Sequence, residues 1–385
     1  MIPLAIPNLT GNEKKYLDNC IDTTFVSSVG EYVTQFEEMV ARETGSLGAV
    51  ATSAGTTGIH AALTAVGVKH GEMVIIPSFT FIASANAVRH CGADPWLMDI
   101  DSSTWCLNHQ LVAAELGNHC EKRKDGLYHK DSGKRIAALM PVYTLGNTPD
   151  MDSFRGISDE YGIPLVVDAA CAIGAEFNHV LLGRLADLSV FSFNGNKTIT
   201  CGGGGAVFGC NEDMLKRVRH LTTTARVWPD YDFDEVGFNY RMTNIQAAVG
   251  VAQLERLDSF IKAKKFTREY YEKNLVELQS EGISFFPTTD GGSCWFSGIV
   301  LPEKSDLSKA KEICALLRED GIEARPFWKP VHLQVPYKNS PKSELSVAES
   351  LWQRIITLPC STGISEDELS TVVLSLKKAI GKINL

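Results

Sequence analysis

The chain has 385 residues, of which 44% are hydrophobic and 22% are charged, and its formal net charge is −9. This is the composition of an ordinary globular protein that is long enough for two or three domains. Its basic residues are dispersed in an acidic chain, which argues against nucleic acid as a partner. The first residues lack a signal-peptide pattern and no apolar run approaches membrane-spanning length, so we expect a cytoplasmic protein without membrane contact.

The ten cysteines show no arrangement typical of a metal site. No pair is spaced Cys-x-x-Cys, and none stands with histidine at the spacing of metal ligands. We therefore predict no metal site, and we expect the cysteines to be reduced and mostly buried.

Helix and strand patterns alternate through residues 1–116. Thr10 and Glu13 have the spacing of a capping box that starts a helix, and a loop of small residues, 24–30, precedes a second amphipathic helix. Short apolar runs bounded by turn residues then predict strands, with helical periodicity between them. The strands are expected at 48–53, 73–77 and 96–100, and the further helices at 58–66, from 81, and at 108–116.

Two features of this stretch are candidates for ligand binding. Gly55, Thr56 and Thr57 lie at the start of a predicted helix, where amides and hydroxyls bind phosphate, although an ordinary helix cap shows the same pattern. Phe81 opens the next helix, just after a strand. Ligands of open α/β sheets bind at the carboxyl ends of the strands, so Phe81 either stacks on a flat ring or belongs to the core.

Residues 119–135 form the most polar and most charged insertion in the chain. Asp125-Gly126 and Ser132-Gly133 are turn signals, so we predict an exposed β-hairpin. Strand–helix units resume after it, which predicts an α/β fold whose mostly parallel sheet has helices on both faces. The later strands are expected at 136–142, 164–168, 188–193 and 205–210, and the helices at 150–161 and 214–220.

A lysine and an aspartate at the ends of two predicted strands carry the strongest chemical signal. Lys197 lies between an apolar strand and the four consecutive glycines 202–205, so its position is fixed by the backbone. Taken alone, it is more often a surface lysine of a glycine-rich loop. Asp168 closes the preceding strand, however. This pair matches the pyridinium partner and the Schiff-base lysine of a pyridoxal phosphate enzyme.

The C-terminal third predicts a smaller unit. A long helix at 244–279 is expected to link a large domain, residues 1–250, to a small α+β domain, residues 251–385, with the N-terminal helix packing near the latter. Ser365 and Glu368 have the spacing of a capping box for the last helix. The other elements are expected as strands at 284–286 and 295–300 and a helix at 308–320.

The chain resembles the DegT-type (DegT/DnrJ/StrS) sugar aminotransferases along essentially its whole length. The resemblance rests on these motifs together with Pro-Asn-Leu-Thr-Gly-Asn-Glu near the start and Trp-Lys-Pro-Val-His-Leu-Gln at 328–334. The resemblance implies the fold of type I pyridoxal phosphate-dependent transferases, a large domain with a mostly parallel mixed sheet between helices and a smaller α+β domain. It also implies pyridoxal 5'-phosphate as cofactor, glutamate as amino donor, a nucleotide-linked keto sugar as acceptor, and a homodimer with shared active sites.

The resemblance also assigns roles to residues. It makes Lys197 the Schiff-base lysine and proton shuttle, and Asp168 the group that keeps the pyridine nitrogen protonated. Phe81 stacks on the ring, and Cys171 takes the place of a Gln or Glu near the phenolic oxygen. The phosphate contacts are Gly55, Thr56, Thr57 and Ser192, with Asn239 reaching the phosphate from the partner subunit. Substrate contacts are Ser27, Ser28, Trp328, Lys329 and His332, of which His332 is alternatively a structural histidine.

Within the family, several segments look like the LegC-type UDP-sugar 4-aminotransferases: 25–30, the 119–135 insertion, 193–197 and 222–227. The implied reaction moves an amino group from glutamate to C4 of a UDP-linked 4-keto-6-deoxy-N-acetylhexosamine, for bacillosamine- or legionaminic-type glycans. The alternatives are amination at C3, a GDP- or dTDP-linked keto sugar, or a non-catalytic sensor that binds the cofactor. A pyridoxamine-dependent dehydratase is disfavoured, because those relatives replace the lysine with histidine.

Further departures from the family pattern lie near the expected site. The usual Thr-Thr before the glycines is Thr200-Cys201, and Val227-Trp228-Pro229-Asp230 replaces a Pro-His stretch. Neither departure touches Lys197 or Asp168, so the expected chemistry stands while the sugar contacts stay open.

Overall fold

The computed structural model describes residues 1–227 and 229–383. Trp228, one of the departures from the family pattern, lies outside the described residues. The helices are α1 Glu13–Asp22, α2 Glu31–Thr44, α3 Gly55–Ala65, α4 Ile82–His90, α5 His109–His119, α6 Met151–Tyr161, α7 Glu212–Thr222, α8 Asn244–Leu254, α9 Leu257–Asn274, α10 Leu307–Glu319, α11 Ser346–Leu351 and α12 Glu366–Gly381.

The strands are mostly short. They are β1 Gly48–Thr52, β2 Met73–Pro77, β3 Asp94–Met98, β4 Cys120–Arg123, β5 Gly126–His129, β6 Arg135–Leu139, β7 Val166–Asp168, β8 Glu176–Phe177, β9 Val180–Leu181, β10 Leu188–Ser192, β11 Gly205–Gly209, β12 Arg226–Val227, β13 Asp232–Phe233, β14 Ser284–Phe285, β15 Ser297–Val300, β16 Arg325–Pro326 and β17 Ile355–Leu358.

Two sheets join into one central layer. One has the order β1-β11-β10-β7 and the other β3-β2-β6-β5-β4. Parallel bridges from Leu139 to Leu165 and from Val142 to Asp168 connect them between β6 and β7. Within the layer β7 and β10 are parallel, as are β2, β3 and β6, whereas β11 runs antiparallel to both its neighbours. The predicted mixed, mostly parallel sheet is confirmed.

Both faces of this layer are covered, as the apolar strand runs predict. In β2, Met73 and Ile75 pack into a cluster with side chains of α2, α5, α6 and α8, whereas Val74 and Ile76 pack with α3, α4 and α7. Alternation along a strand sends successive side chains to opposite faces, so a fully buried strand serves both clusters.

A second sheet, β14-β15-β17-β16, lies in the C-terminal part and packs with α10 and α12 around its own cluster, which includes Ile299, Ile313, Ile356 and Leu376. The N-terminus contacts this region, since Ile2 forms a parallel bridge with Ile322. The domain boundary after residue 250 stays a prediction.

The polar insertion at 119–135 forms the expected hairpin. Strands β4 and β5 pair antiparallel from Cys120 with His129 to Arg123 with Gly126. Strand β5 also pairs with β6, so the hairpin extends the central sheet at its edge. The predicted capping box of Ser365 and Glu368 is also confirmed.

Two local predictions were wrong, both because of tertiary contacts: the unbroken helix at 244–279 and the capping box of Thr10 and Glu13. The helix expected at 244–279 breaks between Leu254 and Leu257. Glu255 accepts hydrogen bonds there from Asn12 and Tyr16. Arg256 donates a hydrogen bond to the hydroxyl of Thr10. Thr10 therefore does not cap the helix, since α1 begins at Glu13 and its N-cap is Asn12.

All ten cysteines are free thiols. None of the helices in the described part of the chain combines the length and the apolar character needed to cross a bilayer.

Candidate active site

Asp168 and Lys197 meet at one edge of the central sheet. Asp168 ends β7 and Ser192 ends the neighbouring parallel strand β10, where Val190 lies opposite Asp168. Carboxyl ends of parallel strands share an edge, which is where ligands of such sheets bind. Lys197 follows in a turn, and its backbone N–H donates to the carbonyl of Asn194 at 3.0 Å. The turn is therefore held by its backbone, as predicted.

Asp168 is buried, with 4% of its surface exposed. Its Oδ2 accepts a hydrogen bond from Ser84 Oγ at 2.6 Å and its Oδ1 accepts one from the Ala170 N–H at 3.1 Å. Burial raises the pKa of this carboxyl above its usual value, while Ser84, Ala170 and the charge of Lys197 act to lower it. Each carboxylate oxygen can accept more than one bond, so the group can still receive a donor from the cavity that it lines.

The amine of Lys197 has two close neighbours. Its Nζ lies 3.1 Å from Cys171 Sγ and 3.9 Å from the centroid of the Trp295 ring. Burial raises the pKa of the Cys171 thiol, although Lys197 opposes that effect. A raised pKa means that Cys171 is a neutral thiol near pH 7, a weak hydrogen-bonding partner that leaves the amine free to react.

The start of α3 forms a cradle suited to an anion. Its N-cap residue is Ala54, whose side chain makes no capping hydrogen bond. The first N–H groups of a helix need acceptors, and the helix dipole favours a negative charge there. Gly55, Thr56 and Ser192 line the cavity at this point. A Cβ on Gly55 would lie 2.7 Å from the Cβ of Ser192, so glycine is required for this close approach.

Aromatic side chains also line the cavity, which has a volume of about 500 Å³. Phe81 is 55% exposed and lies at the N-cap of α4, with its ring 6.1 Å from Trp328. Trp328 stacks on Phe327 at 4.3 Å. An exposed ring beside a cavity of this size offers a face to a flat ligand, and a core role for Phe81 is excluded by its exposure.

The structure brings eight of the predicted residues into one cavity: Gly55, Thr56, Phe81, Asp168, Cys171, Ser192, Lys197 and Trp328. Thr57 is next to it but turns its hydroxyl to the backbone of Ala54, with which it exchanges hydrogen bonds of 2.8 and 3.0 Å. The side chain of Thr57 therefore fastens the helix start and does not face the cavity.

The other five predicted residues do not line the active-site cavity. Asn239 pairs with Thr223 in an antiparallel bridge, and the carbonyl of Ser27 accepts from the Asn244 N–H. Ser28 lines a different cavity, beside Arg219 and Arg241. The exposed Lys329 does not line the active-site cavity.

His332 is the fifth, and it is 4% exposed. Its ring nitrogens lie 2.6 Å from Ser78 Oγ and 3.0 Å from Glu349 Oε1. Both ring nitrogens therefore have partners within the chain. The alternative, a structural histidine, is the one that the geometry supports.

Sequence reasoning missed several residues of the site. Ser84 and Trp295 contact the predicted catalytic pair, and Arg325 lines the cavity. Ser84 and Trp295 are remote in sequence from their partners, so no local pattern marks them. Arg325 lies just before the Trp-Lys-Pro segment, which could have drawn attention to it.

These features fit pyridoxal phosphate. The start of α3, where the N-cap side chain makes no hydrogen bond, offers N–H donors to a phosphate. The exposed face of Phe81 suits a flat ring, and Asp168 has spare acceptor capacity for a protonated ring nitrogen. Lys197 lines the same cavity and supplies an amine. Cys171 is the one departure, and a neutral thiol does not oppose binding of the cofactor.

Comparison with known proteins gives the same answer. The fold superposes on DesI, whose crystal structure contains its TDP-sugar product, with a TM-score of 0.82 and 28% identity over 96% of this chain and 91% of that one. A GDP-perosamine synthase from Caulobacter vibrioides is 35% identical to this chain over 388 residues, and one from Vibrio cholerae is 35% identical over 383 residues. Each alignment covers 98% of this chain and 98% of the relative.

Fold and cavity together define a pyridoxal phosphate-dependent aminotransferase of fold type I. The chain belongs to the DegT/DnrJ/EryC1/StrS aminotransferase family, which it matches over residues 7–377. The predicted family, fold class, enzyme class and cofactor are thereby confirmed. The relatives do not single out the LegC-type subgroup.

Proposed function

We propose that this enzyme moves an amino group from glutamate to C4 of a nucleotide-linked 4-keto-6-deoxy sugar. The observation that supports this most strongly is a single cavity that unites Lys197, Asp168 and the start of α3. We favour GDP as the nucleotide, because two relatives that match nearly the full length are GDP-perosamine synthases.

The cofactor supplies an electron sink that makes a proton next to the reacting nitrogen removable. Lys197 is the residue that takes up and returns this proton, since its Nζ lies in the cavity and its turn is fixed. Asp168 would hold the ring nitrogen in its protonated form, and Ser84 and the Ala170 N–H keep the carboxylate in place. Phe81 would cover one face of the ring, while Gly55, Thr56 and Ser192 would hold the phosphate.

The charges of the cavity support an acidic amino donor. Among the described residues that line it, Lys197 and Arg325 are basic and Asp168 is acidic. Lys197 and Asp168 have roles toward the cofactor, which leaves Arg325 for a carboxylate of the donor. Glutamate carries two carboxylates and suits this arrangement, because guanidinium groups bind carboxylates through paired hydrogen bonds.

A UDP-linked 4-keto-6-deoxy-N-acetylhexosamine is the second candidate acceptor, supported by the resemblance of segments 25–30 and 193–197 to LegC-type enzymes. The insertion carries no weight in this choice, because β4 and β5 lie at the sheet edge and none of their residues lines the active-site cavity. The placement of Ser28 outside that cavity means that segment 25–30 could touch substrate only across a dimer interface.

We infer a homodimer with shared sites from the surface around Ser28. Phe25 and Val29 are 54% and 60% exposed, and a second copy of the chain that covered this surface would remove these apolar side chains from water. Asn239 would then reach the phosphate of the partner subunit. Mixing Lys197→Ala and Asn239→Ala chains tests this, because random reassociation of a dimer with shared sites should restore about a quarter of the wild-type sites. Two inactive variants that stay inactive when mixed would contradict shared sites.

The test of the function uses cofactor-loaded enzyme, glutamate, and GDP-, UDP- and dTDP-linked 4-keto-6-deoxy sugars. We expect 2-oxoglutarate and an amino sugar with the GDP substrate, and no turnover by Lys197→Ala, while Lys216→Ala, on an exposed part of α7, stays active. Product with the UDP substrate alone would replace the first candidate by the second. No change of the cofactor spectrum with glutamate would refute glutamate as the donor, and a panel of other amino acids would then separate a different donor from a non-catalytic sensor.

A further inference from the structure

A short segment of the C-terminal part, Ser293–Phe296, reaches both loops that carry the reactive groups of the site. Ser293 is fully buried, and its Oγ donates to the carbonyl of Cys171 at 3.1 Å. Two residues later, the indole Nε1–H of Trp295 donates to the carbonyl of Asn196 at 2.8 Å. One segment thus holds the loop of Cys171 and the turn of Lys197 at a fixed separation.

The segment is itself fixed. The Trp295 N–H donates to the carbonyl of Leu145 at 3.0 Å, and the Ser293 N–H donates to that of Gly146 at 3.0 Å. Gly146 has a φ of +87°, and a Cβ there would lie 2.1 Å from Ser293 Oγ, so the close contact depends on glycine. Immediately after the segment, β15 begins at Ser297.

The Trp295 side chain is 3% exposed and is bounded by other rings. The ring of Phe296 lies 4.3 Å away and that of Trp328 6.1 Å away. With its backbone N–H and its indole N–H both engaged, the indole has little freedom to rotate. Its face lies 3.9 Å from Lys197 Nζ, within the range of a cation–π contact.

We propose that Trp295 is a positioning residue for Lys197, whose flexible side chain it holds against one indole face so that the amine stays directed at the cavity. This inference rests on the role proposed for Lys197. A lysine stem has four rotatable bonds, and a reacting amine must be held in place to act at its best rate. The backbone of the turn fixes the start of the stem, and Trp295 together with Cys171 fixes its end.

The test measures how the cofactor-free protein takes up two forms of the cofactor. Pyridoxal phosphate carries an aldehyde with which the Lys197 amine condenses, forming a C=N bond and releasing one water. Pyridoxamine phosphate has an amine in place of the aldehyde and cannot form this bond. The binding of pyridoxamine phosphate therefore reports on the cavity, whereas the rate of the new absorbance band with pyridoxal phosphate reports on Lys197.

We compare Trp295→Leu, Trp295→Phe and the control Trp105→Leu, which removes an indole that is also 3% exposed and belongs to the same cluster. Trp295→Leu should form the covalent bond about tenfold more slowly, the size of effect expected for loss of a desolvated cation–π contact. Trp295→Phe keeps an aromatic face and should lose about threefold or less. Trp105→Leu should behave as wild type, and pyridoxamine phosphate should bind all four proteins alike.

A wild-type rate in Trp295→Leu would overturn the proposal. So would an equal loss of pyridoxamine phosphate binding, because the residue would then support the cavity as a whole. If Trp295→Leu does not fold, Trp295→Met, which also removes the aromatic face, takes its place, and a wild-type rate in that variant would overturn the proposal. Failure of the proposed role of Lys197 is distinct, because borohydride would then fail to fix the cofactor to Lys197 in the wild type.

Discussion

The amine of Lys197 and the thiol of Cys171 are in hydrogen-bond contact at 3.1 Å, on the cavity side of two adjacent loops. Where relatives carry a Gln or Glu, according to the resemblance, this enzyme has a group that is uncharged near neutral pH, because burial raises the pKa of the thiol. The contact orients the amine and adds no charge beside it.

Replacement of Cys171 by alanine should therefore have a modest effect. A weak neutral hydrogen bond contributes about 1 kcal/mol or less, so we expect kcat to fall by about fivefold at most. Steady-state kinetics would measure this, with Cys210→Ala as a control because that thiol is exposed. A loss of several hundredfold would instead mean that the thiol takes part in the chemistry.

Ser84→Ala should change the pH dependence. Ser84 donates to Asp168 at 2.6 Å and lowers the pKa of a carboxyl that burial raises. Without this bond the pKa rises further, so the carboxylate is lost at higher pH and the acidic limb of the kcat profile moves upward. A hydrogen bond to a charged group contributes about 1.5–3 kcal/mol, which predicts a kcat lower by roughly ten- to a hundredfold on that limb.

Ser153→Ala is the matched control for this experiment, because Ser153 donates to Asp150 at 2.8 Å on a helix away from the cavity. Its pH profile should equal that of the wild type. If Ser84→Ala also keeps the wild-type profile, ionisation of Asp168 does not set the acidic limb.

Gly55→Ala should weaken binding of the cofactor. The added Cβ would meet the Cβ of Ser192 at 2.7 Å, which forces apart the start of α3 and the end of β10. Overpacking costs about 1–3 kcal/mol, so we expect the Kd for pyridoxal phosphate to rise by about fivefold or more. Gly156→Ala is the control, because this exposed helical glycine has open space around it and should gain slight stability. Equal affinities in both variants would refute the proposed cradle.

His60 should make the protein sensitive to acid. Burial and the nearby His90 lower the pKa of His60 to about 4 from its ordinary value of 6.5. The unfolded chain therefore binds a proton more readily than the folded one between these values. The neutral, buried His60 therefore contributes fully to the free energy of unfolding above pH 6.5. As the pH falls toward 4, that free energy decreases by roughly 2 kcal/mol after allowance for solvent screening.

Urea unfolding at pH 7.5 and at pH 5 would measure the effect. His60→Gln should lose less stability on acidification than the wild type, while the exposed His119→Gln should follow the wild type. An identical loss in all three proteins would show that other groups govern the acid response. The loss of the contact with Tyr240, 3.2 Å from His60, affects both pH values alike and cancels in the difference.

The pairing of Asp168 with Lys197 could be predicted because each follows a strand and strand–helix alternation brings the carboxyl ends of strands together. Ser84 and Trp295 could not, because their contacts join segments that are distant in sequence and leave no periodic pattern. His332 shows a third case. Its motif was recognisable, but only the fold reveals that Ser78 and Glu349 occupy its nitrogens.

The fold prediction had a similar limit. Alternating apolar runs were enough for the central sheet, since β2 and its neighbours are buried on both faces. The break between α8 and α9 was not predictable from periodicity, because the residues at the break are held by the N-terminal segment.

Helix α3 differs from several other helices of this chain in the way it begins. Side chains of Asn108, Asp150, Asn211 and Ser365 accept hydrogen bonds from the first turns of α5, α6, α7 and α12, whereas the methyl group of Ala54 cannot. With the phosphate in its proposed place, the cofactor completes the first turn of α3. A ligand that binds only the folded chain stabilises that chain, so the supply of cofactor in the cell would set how stable this enzyme is.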